Sequence, residues 1–183
     1  AFATFVDGTL TVTKALLVVT ADDKSRGYGS ANPVFTAAVT GLVNGDTLNS
    51  ATSGAPVLAT LATVASGQGT YAITPGLGTL AAANYDFSFV DGVLTVTKAV
   101  LTVSADDRTR AYGDANPTLT YAIAGFLNGD TAAAVTSGAP VLTTTATAMS
   151  GVGTYPIAVA AGALVSPNYA FTFVDGTLTV TKA

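Results

Sequence analysis

The side chains of this chain that could do chemistry are aspartates, lysines and tyrosines. Asp22-Asp23 and Asp106-Asp107 are adjacent carboxylate pairs, and Asp46, Asp91 and their copies Asp130 and Asp175 sit in turn-like contexts. Such carboxylates are calcium ligands where six to eight oxygens converge. No D-x-[DN]-x-[DN]-G loop and no nonapeptide calcium repeat is present. NGD and VDG are also ordinary turn chemistry. Asp22, Asp23, Asp106 and Asp107 therefore stand as weak calcium candidates only. Lys14, Lys98 and Lys182 recur at one place, with Asn84 and Asn168 as conceivable partners for an internal isopeptide bond. Lysines that guard strand ends against edge pairing are the simpler reading. Tyr28 and Tyr112, with Asn32 and Asn116, mark the longest polar loop, the place where recognition residues tend to lie. The alternative is that each tyrosine buries its apolar ring over its own core.

Catalysis has little to work with. His, Cys and Trp are absent, and every acid is Asp. The commonest general base is therefore missing, and no nucleophile elbow or phosphate loop occurs. Glycoside hydrolysis needs two carboxylates across a cleft, whereas adjacent Asp residues on a strand point to opposite faces. The expectation is no enzyme, no cofactor and no metal. Net charge is −4, and seven Lys and Arg across 183 residues make no basic stripe. A nucleic-acid surface is unsupported. No apolar run reaches the length of a spanning helix, so membrane insertion is not expected.

These residues recur because the chain repeats itself. Residues 15–98 align on 99–182 without a gap. About 50 of the 84 aligned positions are identical, the signature of a repeat array. ADD, YG, ANP, NGDT, TSGAPVL, GTY, NY, FVDG and LTVTKA follow in the same order in both copies. Residues 1–14 end in FVDGTLTVTK and read as the closing hairpin strand of a preceding copy. The domains expected are thus 1–14 as that remnant, 15–98 as repeat 1 and 99–183 as repeat 2.

Within a repeat, the apolar period is two. Leu101, Val103 and Ala105 alternate, as do Leu119, Tyr121 and Ile123. Tyr155, Ile157 and Val159 do the same, and so do Tyr169, Phe171 and Phe173. Such alternation predicts half-buried strands. Pro156 suits an edge strand. Asp175-Gly176 between two alternating runs predicts a hairpin. The stretch from Asp130 to Gly138 is the one place for a short helix, capped by Asp130 or Thr131. About six short strands per unit, with regular turn signals, predict a mainly β fold. Two tandem small domains are expected, immunoglobulin-like sandwiches by first preference. A β-grasp arrangement with one short helix is the alternative. Phe87, Phe89, Phe171 and Phe173 are the expected core anchors.

The junctions Lys14-Ala15 and Lys98-Ala99 carry no Gly or Pro. Such a join adds little slack, unlike a Gly/Ser linker. End-to-end units would give a radius of gyration of about 21–22 Å, against about 16 Å for one compact globule.

ADDKSRGYGSANP, GLVNGDT, GTYAI and NYDFSFVDGVLTVTKA together resemble the MBG repeat, in its YG-containing form, of large bacterial surface and secreted adhesins of the filamentous-haemagglutinin kind. The resemblance spans both full units and the leading remnant. It implies an extracellular, structural role: a stalk or spacer that projects a distal binding region. Two alternatives stay open, that the repeats themselves bind a glycan or protein, or that they self-associate into a filament by strand pairing. The expected partners are neighbouring repeats and, through edge strands, other copies.

Overall fold

The computed structural model describes residues 2, 4 and 6–183. The first repeat forms β1 (Ala15–Ala21), β2 (Lys24–Gly27), β3 (Ala37–Thr40), α1 (Leu48–Ala51), β4 (Thr52–Ser53), β5 (Val57–Ala59), β6 (Gly69–Gly76), β7 (Ala81–Ala82), β8 (Tyr85–Val90) and β9 (Gly92–Thr97). The second forms β10 (Ala99–Ala105), β11 (Arg108–Ala111), β12 (Tyr121–Ala124), α2 (Ala132–Val135), β13 (Val141–Thr144), β14 (Gly153–Ala160), β15 (Tyr169–Val174) and β16 (Gly176–Thr181). The chain is mainly β, in two tandem repeats. Lys98 alone separates β9 from β10.

Each repeat holds a three-stranded and a four-stranded sheet. In the second the orders are β12-β10-β15 and β11-β16-β14-β13; in the first they are β3-β1-β8 and β2-β9-β6-β5, with a small β4-β7 pair. Val103 and Ala105 from one sheet meet Ile157, Val159 and Leu178 from the other in a single core. Each inward-facing set follows the period of two along its strand, which is why the alternation in sequence locates the core. The sheets are mixed. The first strand of each repeat lies parallel to the penultimate one, Ala15↔Tyr85 through Thr20↔Val90 and Ala99↔Tyr169 through Ser104↔Val174.

Three expectations need correcting. Asp175-Gly176 is not a hairpin, because β15 and β16 belong to different sheets. The type I′ turn that Asp-Gly favours needs positive φ at both central residues and type II′ needs it at the first, and neither residue has it. Gly176 is required for another reason: a Cβ there would lie 2.6 Å from the backbone oxygen of Ala105. The chain crosses between the sheets at that point and no side chain fits. Pro156 lies on an inner strand, paired with Thr177, rather than on an edge. It is tolerated because β13 pairs with β14 only as far as Ile157, which leaves that side of Pro156 without a neighbouring strand. Phe171 and Phe173 do face the core, but they are only partly buried at its margin, and Phe89 is exposed. The fully buried anchors are instead Tyr169, Leu101, Ile157 and Leu178, with Tyr85 nearly so.

The helices are single turns that bury no residue, so neither can serve as the core helix of a grasp fold. Thr131, rather than Asp130, occupies the N-cap of α2. Contacts group the chain into two compact units. One comprises Ala1–Lys24, Pro33–Leu61 and Thr70–Leu94; the other comprises Ser25–Asn32, Ala62–Gly69 and Thr95–Ala183. Two loops of the first repeat thus belong to the same unit as the second repeat.

Candidate functional site

The site is built on an arginine. β2 and β11 both turn their third residue inward, which buries Arg26 and Arg110. A guanidinium withdrawn from water must have its donors satisfied. Arg26 Nε donates to Asn32 Oδ1 at 2.7 Å and Nη1 to the Gly27 carbonyl at 3.1 Å, while Nη2 reaches the Thr63 carbonyl. Asn32 Nδ2 donates onward to the Ala62 carbonyl at 2.7 Å. Arg110 repeats the pattern with Asn116, Ala111, Thr147 and Ala146. In each repeat the pair staples the Tyr-Gly loop to a second loop, 62–69 or 146–153. Both ends of the Asn32 and Asn116 amides are engaged in that staple.

The staple holds Tyr28 in place. Its N–H donates to the Thr97 carbonyl at 2.8 Å, and Gly29 turns the chain at a φ of 80°, a conformation natural to glycine. The ring stands edge-on to Tyr169, centroids 5.4 Å apart at 81°. This is a favourable aromatic geometry. Its hydroxyl donates to Asp130 Oδ2 at 3.0 Å, and the Tyr169 hydroxyl donates to the same oxygen at 2.7 Å. Leu127 packs on Gly29 so closely that a Cβ there would lie 2.7 Å from Leu127 Cδ1. The Gln68 N–H donates to Asn168 Oδ1 at 3.0 Å, and Asn128 Nδ2 donates to the Val64 carbonyl at 3.4 Å. Two loops of the first repeat therefore dock on the NGD turn and the Asn168-Tyr169 corner of the second. All of these residues lie in one compact unit.

Each half of this junction also occurs without its counterpart. Tyr112 has the same backbone bond, to the Thr181 carbonyl at 2.9 Å. Yet it is 50% exposed where Tyr28 is 5% exposed, and a Cβ on Gly113 would meet no heavy atom within 4 Å. In the first repeat, Tyr85 donates to Asp46 Oδ2 at 2.6 Å and accepts from the Val43 N–H at 3.2 Å. Tyr85, Asp46, Val43, Asn44, Asn84 and Lys14 line an open cleft of about 470 Å³. Hydrogen bonding to the Asp46 carboxylate raises the Tyr85 phenol above its ordinary pKa. Burial, and then the bond to Asp130, does the same for Tyr169.

The other sequence candidates are placed as follows. Asp23 Oδ1 accepts from the Val93 N–H and Asp107 Oδ1 from the Thr177 N–H, each at 2.7 Å. Asp22 accepts from Thr36, and Asp106 from Thr120 and Arg108. The two members of each pair thus hold different segments of the chain. Among the described residues no three acidic, His or Cys side chains group as metal ligands would. Lys14 forms a 3.7 Å ion pair with Asp86, and Lys98 Nζ donates to the Ser166 carbonyl at 2.9 Å. Ala15 and Ala99 start their strands with bonds to the Asn84 and Asn168 carbonyls, each at 3.0 Å.

Sequence reasoning singled out the tyrosine loop but not Arg26, Arg110, Asp130 or Tyr169. One signal was available. Arg26 and Arg110 are identical between the copies, while Lys24/Arg108, Ser25/Thr109 and Gly27/Ala111 around them change.

A family model for the MBG domain (YGX type) matches residues 17–95 and again 101–179. The chain belongs to that family. Both matches include the Tyr-Gly loop, the arginine beneath it and the NGD turn. No curated protein matches the chain. Two MBG domains in tandem are consistent with the repeat region of a surface protein. They are all-β domains of structural type.

Proposed function

We propose that this chain is a stalk segment of a bacterial extracellular adhesin, whose repeats hold a distal binding region away from the cell surface. One observation carries the reading: the Tyr-Gly loop, the most recognition-like feature of the sequence, is filled in the first repeat by the next repeat rather than left for a ligand. Tyr28, Asp130 and Tyr169 join consecutive repeats, and the Lys98-Ala99 join adds a one-residue step between strands. A spacer needs such joints, because a flexible linker would let the repeats reorient freely.

The test is a screen of the purified protein against glycans and extracellular-matrix proteins. The expected result is no saturable binding, and no change on Tyr112→Ala. Saturable binding that Tyr112→Ala abolishes would overturn the stalk reading in favour of ligand capture by the loop.

A further inference from the structure

We propose that the cleft at Tyr85 and Asp46 is the receptor for the Tyr-Gly loop of a preceding repeat, and that residues 5–14 are that repeat's closing strand. The inference rests on the stalk reading and names the partner of its junction. Residues 5–14 and 173–182 are the same ten residues, FVDGTLTVTK. In the second repeat that sequence ends β15 and then forms β16, with Leu178 and Val180 buried; in the first, Leu94 and Val96 are buried likewise. Their counterparts Leu10 and Val12 are 89% and 85% exposed. Apolar residues that close a core in two copies lie bare in the third.

The cleft matches in the same way. Val43, Asn44, Asp46, Asn84 and Tyr85 stand where Leu127, Asn128, Asp130, Asn168 and Tyr169 stand in the filled junction. In the filled junction the incoming tyrosine is held by the carbonyl of the threonine that ends the closing strand, Thr97. Thr13 is the equivalent threonine and lines the open cleft. Asp46 Oδ2 holds one phenol where Asp130 Oδ2 holds two. One hydrogen-bond donor and one aromatic edge are missing, and a Tyr-Gly loop supplies both.

The experiment compares this chain with an extended one in which residues 99–172 are joined directly ahead of residue 5. Segment 5–14 then completes the added copy. Hydrogen exchange needs no substitution: amides 8–13 should exchange fast in the 183-residue chain and be protected like 176–181 in the extended one. A double-mutant cycle between the incoming tyrosine (Tyr→Phe) and Asp46→Ala should show coupling of about 5–30-fold in the unfolding constant, the range for one hydrogen bond to a carboxylate after solvent screening. The cycle of Tyr28→Phe with Asp130→Ala is the internal reference. Fast exchange of 8–13 in the extended chain, or no coupling at Asp46 beside intact coupling at Asp130, overturns the inference alone. No coupling at Asp130 overturns the junction reading beneath it.

Discussion

Replacing Asp130 by alanine removes the acceptor of two phenol hydrogens at once, whereas the same change at Asp46 removes the acceptor of one. The two aspartates occupy equivalent turns, so most other consequences of the substitution cancel in the comparison. What remains is the Tyr28 bond across the repeat junction. A hydrogen bond to a charged group contributes about 1.5–3 kcal/mol net. Asp130 is half-buried, so solvent screening lowers the increment to about 1–2 kcal/mol. Asp130→Ala should therefore destabilise the protein by that much more than Asp46→Ala. For a chain of this length each kcal/mol moves the midpoint by about 2–4 °C, so the two melts should be separated by a few degrees. Circular dichroism in urea or on heating reads the difference. Tyr28→Phe should reproduce the increment and add little on top of Asp130→Ala. Equal midpoints for the two aspartate variants would show that the Tyr28 hydroxyl contributes nothing to the junction, and the reasoning would fail.

Two further outcomes are expected. Tyr85 and Tyr169 have phenol pKa values above 10.0 in the folded chain, so their contribution to stability is complete below pH 10 and is lost as pH rises through the raised folded values. Urea melts between pH 9 and pH 12 should show a decline beginning near pH 10 (about the unfolded phenol value), with Tyr85 and Tyr169 ionising above that value; stability rising over that range would refute the assignment. Gly176→Ala should cost about 1–3 kcal/mol or more by crowding the Ala105 carbonyl. Gly113→Ala meets open space and should show only the cost of positive φ, about 1 kcal/mol; a larger loss at Gly113 than at Gly176 in a denaturant melt would contradict the geometry.

The strands were legible because their burial follows local alternation: Leu101, Val103 and Ala105 face inward as the period of two requires. The repeat itself, and the absence of slack at Lys98-Ala99, were equally plain. What escaped was set by partners distant in the chain. Asp175-Gly176 carries a hairpin's residues, but the glycine answers to the Ala105 backbone, a contact no local pattern encodes. Tyr28 meets Asp130 across 102 positions. NGD read as turn chemistry because a turn needs those residues whether or not its aspartate has a second task. Arg110 was not singled out, since nothing in its own strand tells that backbone carbonyls enclose it.

The parallel pairing of first and penultimate strands has a mechanical meaning. Tension along the chain enters the second repeat at Ala99, the start of β10, and leaves at Thr181, the end of β16. These two strands lie in different sheets, so the pull cannot peel one from the other. It reaches β10 at its N-terminal end and β15 through its C-terminal end, along a parallel ladder with six registered pairs. β16 is pulled from its C-terminal end against β11, which runs alongside it in parallel over four registered pairs. Strands loaded from opposite ends slide, and the bonds of a sliding ladder share the load. A hairpin pulled from its open end breaks its bonds one after another. Each repeat is thus loaded in shear by its own topology, and the force needed to open it scales with the whole ladder rather than with a single rung.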